Sequence, residues 1–193
     1  MTIILGPKTA LVVVDVQNDF CPGGALPVPE GDTVVPVLNK YIRHFEATGA
    51  PIIFTRDWHP PDHLSFKAQG GPWPPHCIQN TEGAKFHPAL LIPVDAEIVS
   101  KAETRDEAYS FFQGSDLADK LRKRIHTLFV GGLATDYCVK ETVLDALKHK
   151  FEVYLLTDAS KGVDVKPGDS EKAVRVMVQS GCKPITKKQL QKQ

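Results

Sequence analysis

Short apolar runs alternate along this chain with segments in which apolar residues recur every three or four positions. Such runs are typical of strands buried in a sheet, and the longer spacing is typical of helices that cover it. The pattern predicts six strands, at residues 10–14, 51–55, 96–99, 128–130, 151–156 and 183–186. It also predicts four helices, which begin near residues 32–33, 115, 135–136 and 169–170 and end near residues 49, 123, 147 and 181.

The alternation of strands and helices predicts an α/β fold. We expect a single-domain, doubly wound (Rossmann-like) sheet of about six mostly parallel strands, with helices on both faces. No repeat or linker divides residues 1–193, and the polar residues 187–193 are expected to fray. In such sheets, ligands bind beyond the carboxyl ends of the strands.

Four successive predicted strands are followed by chemically reactive side chains. Asp15 follows the first, Asp57 with His59 the second, Lys101 the third, and the loop that leads to Cys138 the fourth. Because the carboxyl ends of parallel strands meet at one edge of the sheet, we expect these groups to converge. This convergence is the main reason to predict a catalytic site.

Cys138 follows the Gly131-Gly132 pair, which is predicted to end the fourth strand, and lies in the first turn of the next helix. Free N–H groups and the helix dipole at such a position favour a thiolate and can hold an oxyanion. Asp15 would be partly desolvated, which raises a carboxyl pKa toward the range of a general base. A turn-capping aspartate and a solvated Lys101 remain alternative interpretations.

The long Pro- and His-rich segment at residues 58–92 carries candidate metal ligands. In Asp57-Trp58-His59 the carboxylate and the imidazole lie two positions apart on extended chain, so they can point the same way. With His76 they suggest a site for one divalent metal ion, with zinc favoured and iron or manganese as alternatives. His63 is an undecided further ligand, and His87 is more simply interpreted as exposed.

Composition limits the class of partner. Lys+Arg and Asp+Glu number 23 each, so no bulk charge favours nucleic acid or an anionic membrane surface. No apolar run reaches the length of a membrane span, and the start of the sequence lacks a secretion signal. The four cysteines are widely spaced, which favours a cytoplasmic, reduced protein. A homo-oligomer is compatible with the sequence but is not predicted by it.

With these residues in place, the chain resembles the nicotinamidase/pyrazinamidase branch of the isochorismatase-like cysteine hydrolases. The similarity covers nearly the whole chain and rests on five segments in the family's order. They are DVQNDFCPGGALPV (15–28), RDWHPPDHLSF (56–66), WPPHCIQNTEGAKFHP (73–88), SKAETRDEAYSFF (100–112) and GGLATDYCVKETVLDA (131–146).

The resemblance implies roles for individual residues. It implies a catalytic triad of Asp15, Lys101 and Cys138, and a metal site of Asp57, His59 and His76, to which some relatives add the position of His63. It implies an oxyanion hole from the backbone N–H groups of Ala134 and Cys138, with a cis peptide bond between Leu133 and Ala134. The implied substrate-binding residues are Phe20, Leu26, Trp73 and Tyr109.

The activity implied by the resemblance is hydrolysis of nicotinamide, and also of pyrazinamide, through a thioester on cysteine, as a step of NAD salvage. The nearest alternative is a cysteine hydrolase of the same fold that acts on another amide or an N-carbamoyl compound. The Asp57, His59 and His76 set argues against that alternative, because those relatives generally lack the metal site. A non-catalytic protein on the same scaffold would be expected to lack Asp15, Lys101 or Cys138, and all three are present.

Overall fold

A computed structural model of the chain describes residue 3 and residues 5–114 and 116–190. Its strands are β1 (Thr9–Val14), β2 (Ile52–Asp57), β3 (Glu97–Lys101), β4 (Thr127–Leu133), β5 (Glu152–Lys161) and β6 (Lys183–Ile185). They form one sheet in the order β3-β2-β1-β4-β5-β6, and every neighbouring pair is parallel. The predicted α/β fold is confirmed, with a sheet that is wholly parallel.

Helices cover both faces of the sheet. They are α1 (Val34–Ala47), α2 (Leu117–Arg122), α3 (Lys140–Lys148) and α4 (Asp169–Gln179). On one face, α1 packs in an apolar cluster with Leu11 and Val13 of β1, while α2, α3 and α4 share the opposite cluster with Val12. Strand β1 is buried along its whole length because its side chains alternate between these two clusters.

The strand order reverses direction between β1 and β4. From β1 the chain builds outward through β2 and β3, and then returns to pair β4 with the other side of β1. Such a reversal opens a crevice at the carboxyl ends of the two central strands, where ligands bind in open α/β sheets. The chain segments that follow β1, β2, β3 and β4 therefore border one crevice.

The Gly131-Gly132 pair does not end β4, contrary to the prediction, because β4 continues through both residues to Leu133. A Cβ on Gly132 would lie 2.1 Å from the Val14 carbonyl oxygen, and one on Gly131 would lie 3.0 Å from the Ala159 carbonyl oxygen. The glycines thus let β4 approach β1 and β5 closely. Strand β5 also runs past its predicted end and rejoins β4 after a register shift between Val130 and Gly132.

Several predicted boundaries differ from the structure. Thr135 and Asp136 do not cap the Cys138 helix; they lie inside a π-helical turn, Thr135–Val139, that leads into α3. The predicted cap Ser115 lies outside the described residues. Fraying of the tail stays a prediction; in the structure Lys187–Gln189 forms a short 3₁₀ turn, and Leu190 is buried and pairs with Ile3. Residues 191–193 lie outside the described part of the chain.

Within the described residues, none of the helices combines the length and the apolar character needed to cross a membrane.

Candidate active site

The ammonium group of Lys101 lies at the centre of the site. Lys101 ends β3 directly beside Asp57 at the end of β2, because these two residues are register partners. Its Nζ contacts Asp57 Oδ1, lies 2.9 Å from Asp15 Oδ2 and lies 3.4 Å from Cys138 Sγ. The three residues of the predicted triad are therefore brought together around one cation.

The Asp15 carboxylate is completely buried at the carboxyl end of β1. Its Oδ1 accepts a hydrogen bond from the Thr55 hydroxyl at 2.7 Å, and its Oδ2 faces Lys101. Burial raises the pKa of Asp15, and the repulsion from Asp57 adds to this, while the charge of Lys101 opposes it. The direction agrees with the sequence-based expectation for a general base.

Asp57 and Lys101 form a buried ion pair. Burial by itself would raise the pKa of Asp57, but Lys101 and His59 outweigh it and hold that pKa below its usual range. Burial likewise opposes the charge of Lys101, yet the two facing carboxylates keep its pKa well above the usual value. Lys101 therefore remains protonated and Asp57 remains ionised.

Cys138 is buried, with 6% of its surface exposed, in the π-helical turn after β4. The sequence predicted that its position at a helix start favours the thiolate. The structure reverses this expectation, because burial and the two neighbouring carboxylates raise the pKa of the Cys138 thiol well above its usual value, against the attraction of Lys101. Cys138 therefore rests as a thiol and needs a base to become a nucleophile.

The loop between β4 and α3 has the predicted unusual backbone. The Leu133–Ala134 peptide bond is cis. The carbonyl oxygen of Ala134 accepts hydrogen bonds from the N–H groups of Tyr137 and Val139, at 3.0 and 3.1 Å, which closes the π-helical turn around Cys138. Ala134 and Cys138 both line the same pocket, as the oxyanion-hole prediction requires.

Asp57, His59 and His76 form a group that could hold a metal ion. One ligand atom from each lies within 4.8 Å of the others, and all three residues are buried. His59 Nε2 lies 3.5 Å from Asp57 Oδ2, close to the separation of about 3.4 Å for two ligands bound at about 2.1 Å to a tetrahedral zinc.

The ring nitrogens of the two histidines also fit metal binding. His76 Nδ1 lies 2.8 Å from the Pro74 carbonyl oxygen, an arrangement that orients the ring and leaves Nε2 free as a ligand. His59 Nδ1 is buried without a hydrogen-bond partner in the described part of the chain. The chemistry of the set, two imidazoles and one carboxylate, therefore suits a divalent metal.

His63 lies beside the candidate metal group. Its ring centroid lies 4.0 Å from that of His59, with the two ring planes tilted by 41°. Its Nδ1 lies 2.7 Å from the Ser65 hydroxyl, and its Nε2 lies 3.1 Å from the Asp106 carbonyl oxygen. Both ring nitrogens are thus engaged with other partners. The structure leaves His63 outside the ligand group formed by Asp57, His59 and His76.

A largely apolar pocket opens onto Cys138 and the candidate metal group. All four predicted substrate-binding residues line it, namely Phe20, Leu26, Trp73 and Tyr109. Trp73 Nε1 lies 3.5 Å from the Tyr109 hydroxyl, and the Trp73 ring meets Tyr137 edge to face at 5.2 Å. A pocket with aromatic walls and a few polar groups at one end suits a small flat ring.

The sequence analysis missed residues that line or support this site. Val28, Leu133, Tyr137 and Val163 complete the pocket wall. Thr55 supports Asp15, Gln17 binds the main chain of Asp57, and the Asp136 carboxylate accepts the N–H groups of Val163 and Asp164. Tyr137 could have been found from its position beside Cys138. The partners of Gln17 and Asp136 are distant in sequence, so no local pattern reveals them.

The chain matches a known domain family and a known enzyme over most of its length. The isochorismatase domain model matches residues 9–189. A nicotinamidase from Escherichia coli (strain K12) is 43% identical, over 91% of this chain and 93% of that protein.

Two solved structures are similar over nearly their full lengths. A pyrazinamidase of Pyrococcus horikoshii in complex with zinc has a TM-score of 0.88 and 55% identity, covering 93% of this chain and 99% of that one. A structure from L. infantum in complex with nicotinate has a TM-score of 0.92 and 30% identity, covering 99% of both chains.

Proposed function

Because the chain belongs to the isochorismatase domain family, we propose that it is a single-domain amidohydrolase that converts nicotinamide to nicotinate and ammonia. The observation that carries the proposal is the contact of one buried ammonium, Lys101 Nζ, with Asp15, Asp57 and Cys138 at the end of an aromatic pocket. The similarity to a nicotinamidase and to a structure in complex with nicotinate supports this substrate. Pyrazinamide, the same carboxamide on a pyrazine ring, is proposed as a second substrate because a pyrazinamidase is similar too.

In the first half of the reaction, Asp15 accepts the Sγ proton of Cys138 as sulfur attacks the carboxamide carbon. The tetrahedral oxyanion is held by the N–H groups of Ala134 and Cys138, each worth about 3–4 kcal/mol if these donors act as in known oxyanion holes. Asp15 then returns the proton to the departing nitrogen, because an amide nitrogen leaves only when it is protonated. The products of this half are ammonia and a thioester on Cys138.

In the second half, Asp15 removes a proton from water, which attacks the thioester carbon. Collapse of the second tetrahedral intermediate breaks the C–S bond, and Asp15 returns its proton to the sulfur, which restores the thiol and the ionised base. The acid leaves as nicotinate once its proton has passed to ammonia. Lys101 stays protonated throughout and stabilises whichever neighbouring group carries the negative charge. One water is consumed, and one nicotinate and one ammonia, which carries away a proton as ammonium, are formed.

Asp57, His59 and His76 would hold one divalent metal, and zinc is the proposed ion because a similar pyrazinamidase was solved with it. When bound, such an ion supplies a Lewis-acid contact that orients the substrate in the pocket. Trp73 and Phe20 would flank the ring, and Tyr109 would close the pocket beside Trp73. These contacts exclude water and hold the carboxamide near Cys138.

The proposed setting is NAD salvage in a reducing cytoplasm. The reaction recovers nicotinate from the nicotinamide that NAD-consuming reactions release. A reducing compartment suits the site, since Cys138 acts only as a free thiol and all four cysteines are free and buried.

The test is ammonia release by the zinc-loaded protein from nicotinamide, pyrazinamide, a linear amide and an N-carbamoyl amino acid, with metal content measured on the same sample. The proposal predicts turnover of both ring carboxamides at rates far above those of the other two compounds. Faster turnover of the N-carbamoyl compound would instead assign the protein to the alternative activity.

A further inference from the structure

Gln17 is a completely buried polar side chain whose amide is fully engaged with the main chain of other segments. Its Nε2 donates to the carbonyl oxygens of Asp57, at 2.8 Å, and of Ala84, at 2.9 Å. Its Oε1 accepts the N–H of Asp57 at 2.8 Å. The Gln17 amide therefore binds both the N–H and the C=O of Asp57, and both of the amide hydrogens are used in hydrogen bonds.

Asp57, the residue that Gln17 binds, belongs both to the group around Lys101 and to the candidate metal group. Asp57 Oδ1 contacts Lys101, while Asp57 Oδ2 lies 3.5 Å from His59 in the candidate metal group. Gln17 is also tied to the general base, because its own N–H donates to the Asp15 carbonyl oxygen at 2.8 Å. One residue thus links the main chain at Asp15 with the main chain at Asp57.

The distance between the ends of β1 and β2 determines whether Lys101 can contact both Asp15 and Asp57. Its Nζ contacts carboxylate oxygens of both Asp15 and Asp57. If the end of β2 moved away from β1, one of these contacts would lengthen, and the Asp57 ligand atom would move relative to His59 and His76.

We propose that Gln17 is a positioning residue that fixes the spacing of Asp15 and Asp57 around Lys101, and thereby sets both metal affinity and catalytic rate. The inference rests on the proposed function and adds to it a residue that touches neither the reacting atoms nor the pocket. Partners that orient metal ligands in this indirect way typically contribute about 10–100-fold to metal affinity or activity.

Two substitutions test the side-chain hydrogen bonds of Gln17. Gln17→Glu keeps the shape and the acceptor for the Asp57 N–H, but sets a carboxylate oxygen against the carbonyls of Asp57 and Ala84. Gln17→Met keeps the length of the side chain and removes all three side-chain hydrogen bonds. Both leave the ligand side chains and the triad unchanged.

A control for the same amide-to-carboxylate change exists in α1, at a position that is only partly buried. The Asn39 amide also binds the main chain of another segment. Its Nδ2 donates to the Ala89 carbonyl oxygen at 2.8 Å, and its Oδ1 accepts the Leu91 N–H at 2.9 Å. These partners lie outside the pocket and the candidate metal group. Asn39→Asp therefore reproduces the chemical change of Gln17→Glu away from the site.

The experiment measures four quantities on the full chain, starting from chelated protein. They are the zinc affinity by competition with a chelator, the thermal midpoint without metal, and kcat and KM for nicotinamide after zinc is restored. We expect both Gln17 variants to bind zinc about 10–100-fold more weakly than wild type and, at saturating zinc, to lose kcat with little change in KM. Asn39→Asp should lower the thermal midpoint only, with zinc affinity and kcat unchanged.

Three results would overturn the inference. In the first, the Gln17 variants fold and match wild type in zinc affinity and kcat. In the second, Asn39→Asp lowers both quantities as much as they do. In the third, neither Gln17 variant folds, which would assign the residue to the whole fold rather than to the site. Wild-type protein that neither binds zinc nor hydrolyses nicotinamide would refute the proposed function, and this inference with it, and is distinguished by being seen before any substitution.

Discussion

Lys101 Nζ lies 3.4 Å from Cys138 Sγ in a site from which water is almost excluded. The ammonium faces a thiol on one side and two carboxylates on the other. Transfer of the thiol proton to Asp15 leaves the net charge of this buried group unchanged and only moves a negative charge from oxygen to sulfur. The protein therefore generates a nucleophile without burying any additional charge, which would be costly at this position.

Replacement of Lys101 by methionine tests the importance of this cation. Lys101→Met leaves the carboxylates of Asp15 and Asp57 buried without a positive partner, which is expected to cost about 3–5 kcal/mol of unfolding free energy. Their pKa values in the folded state would then lie above those in the unfolded state. The loss of stability should therefore grow as pH rises and be larger at about pH 7 than at about pH 5. Urea denaturation of metal-free protein measures it.

The control for this substitution is Lys85→Met. Lys85 pairs with Glu82 on the surface, where both side chains are well exposed, so its removal should cost less than about 1 kcal/mol at either pH. Equal, small losses for the two variants would show that Lys101 does not neutralise the buried carboxylates.

Thr55→Val tests the general-base role of Asp15 through its hydrogen bond. The Thr55 hydroxyl donates to Asp15 Oδ1 at 2.7 Å and so lowers the pKa of Asp15 relative to an unbonded carboxyl. Its removal should raise that pKa, so the enzyme would lose its ionised base at a higher pH. The acid limb of the kcat/KM profile should move to higher pH.

Thr157→Val serves as the control for the shape change, since the Thr157 hydroxyl bonds the Ile185 carbonyl instead. Its acid limb should coincide with that of wild type. An acid limb that Thr55→Val leaves in place would argue that the group titrating there is not Asp15.

The metal group predicts different effects for two neighbouring histidines. His76→Ala removes a ligand and should weaken zinc binding by at least about 10–100-fold, with loss of activity that excess zinc partly restores. His63→Asn keeps a polar atom near Ser65 and removes no ligand of the group. Zinc affinity should therefore change less than about tenfold, below the range typical of residues that orient a ligand by a hydrogen bond. Competition titrations with a chelator measure both. Equal losses would make His63 a fourth ligand.

Asp136 supports the pocket wall from the turn that carries Cys138. Its carboxylate accepts the N–H groups of Val163, at 2.9 Å, and of Asp164, at 2.8 Å, and Val163 lines the pocket. Asp136→Asn can satisfy only one of these donors well, so KM for nicotinamide should rise about fivefold or more while kcat falls less. Asp145→Asn in α3, which loses only a surface pair with Lys148, should change neither constant.

The convergence of the predicted triad follows from the sequence for a simple reason. Each of Asp15, Asp57 and Lys101 stands at the end of a strand, and parallel pairing aligns those ends without knowledge of any side chain. The short run of apolar residues near each group was enough to locate it. The same argument led to the loop after β4, and therefore to Cys138.

The remaining features depend on contacts between distant segments. The pKa of Cys138 cannot be inferred from its helix position, because burial and two carboxylates from other strands raise it against the attraction of Lys101. The pair Gly131-Gly132 is typical of a strand end in the sequence, but in the structure both glycines lie inside β4, where they allow close packing against Val14 and Ala159. The proposed positioning role of Gln17 can be inferred only from the structure, because its hydrogen-bond partner Asp57 lies 40 positions away in the sequence.

Cys138→Ala is the most direct test of the central claim that Cys138 is the nucleophile of an amidase. The substitution removes one sulfur atom from a buried position and leaves Asp15, Lys101 and the candidate metal group in place. The measurement is ammonia release from nicotinamide by zinc-loaded protein, with zinc content and thermal midpoint determined on the same sample. The account predicts a fall of at least about a thousandfold in kcat with zinc content retained. Turnover within tenfold of wild type by the folded, zinc-loaded variant would contradict it.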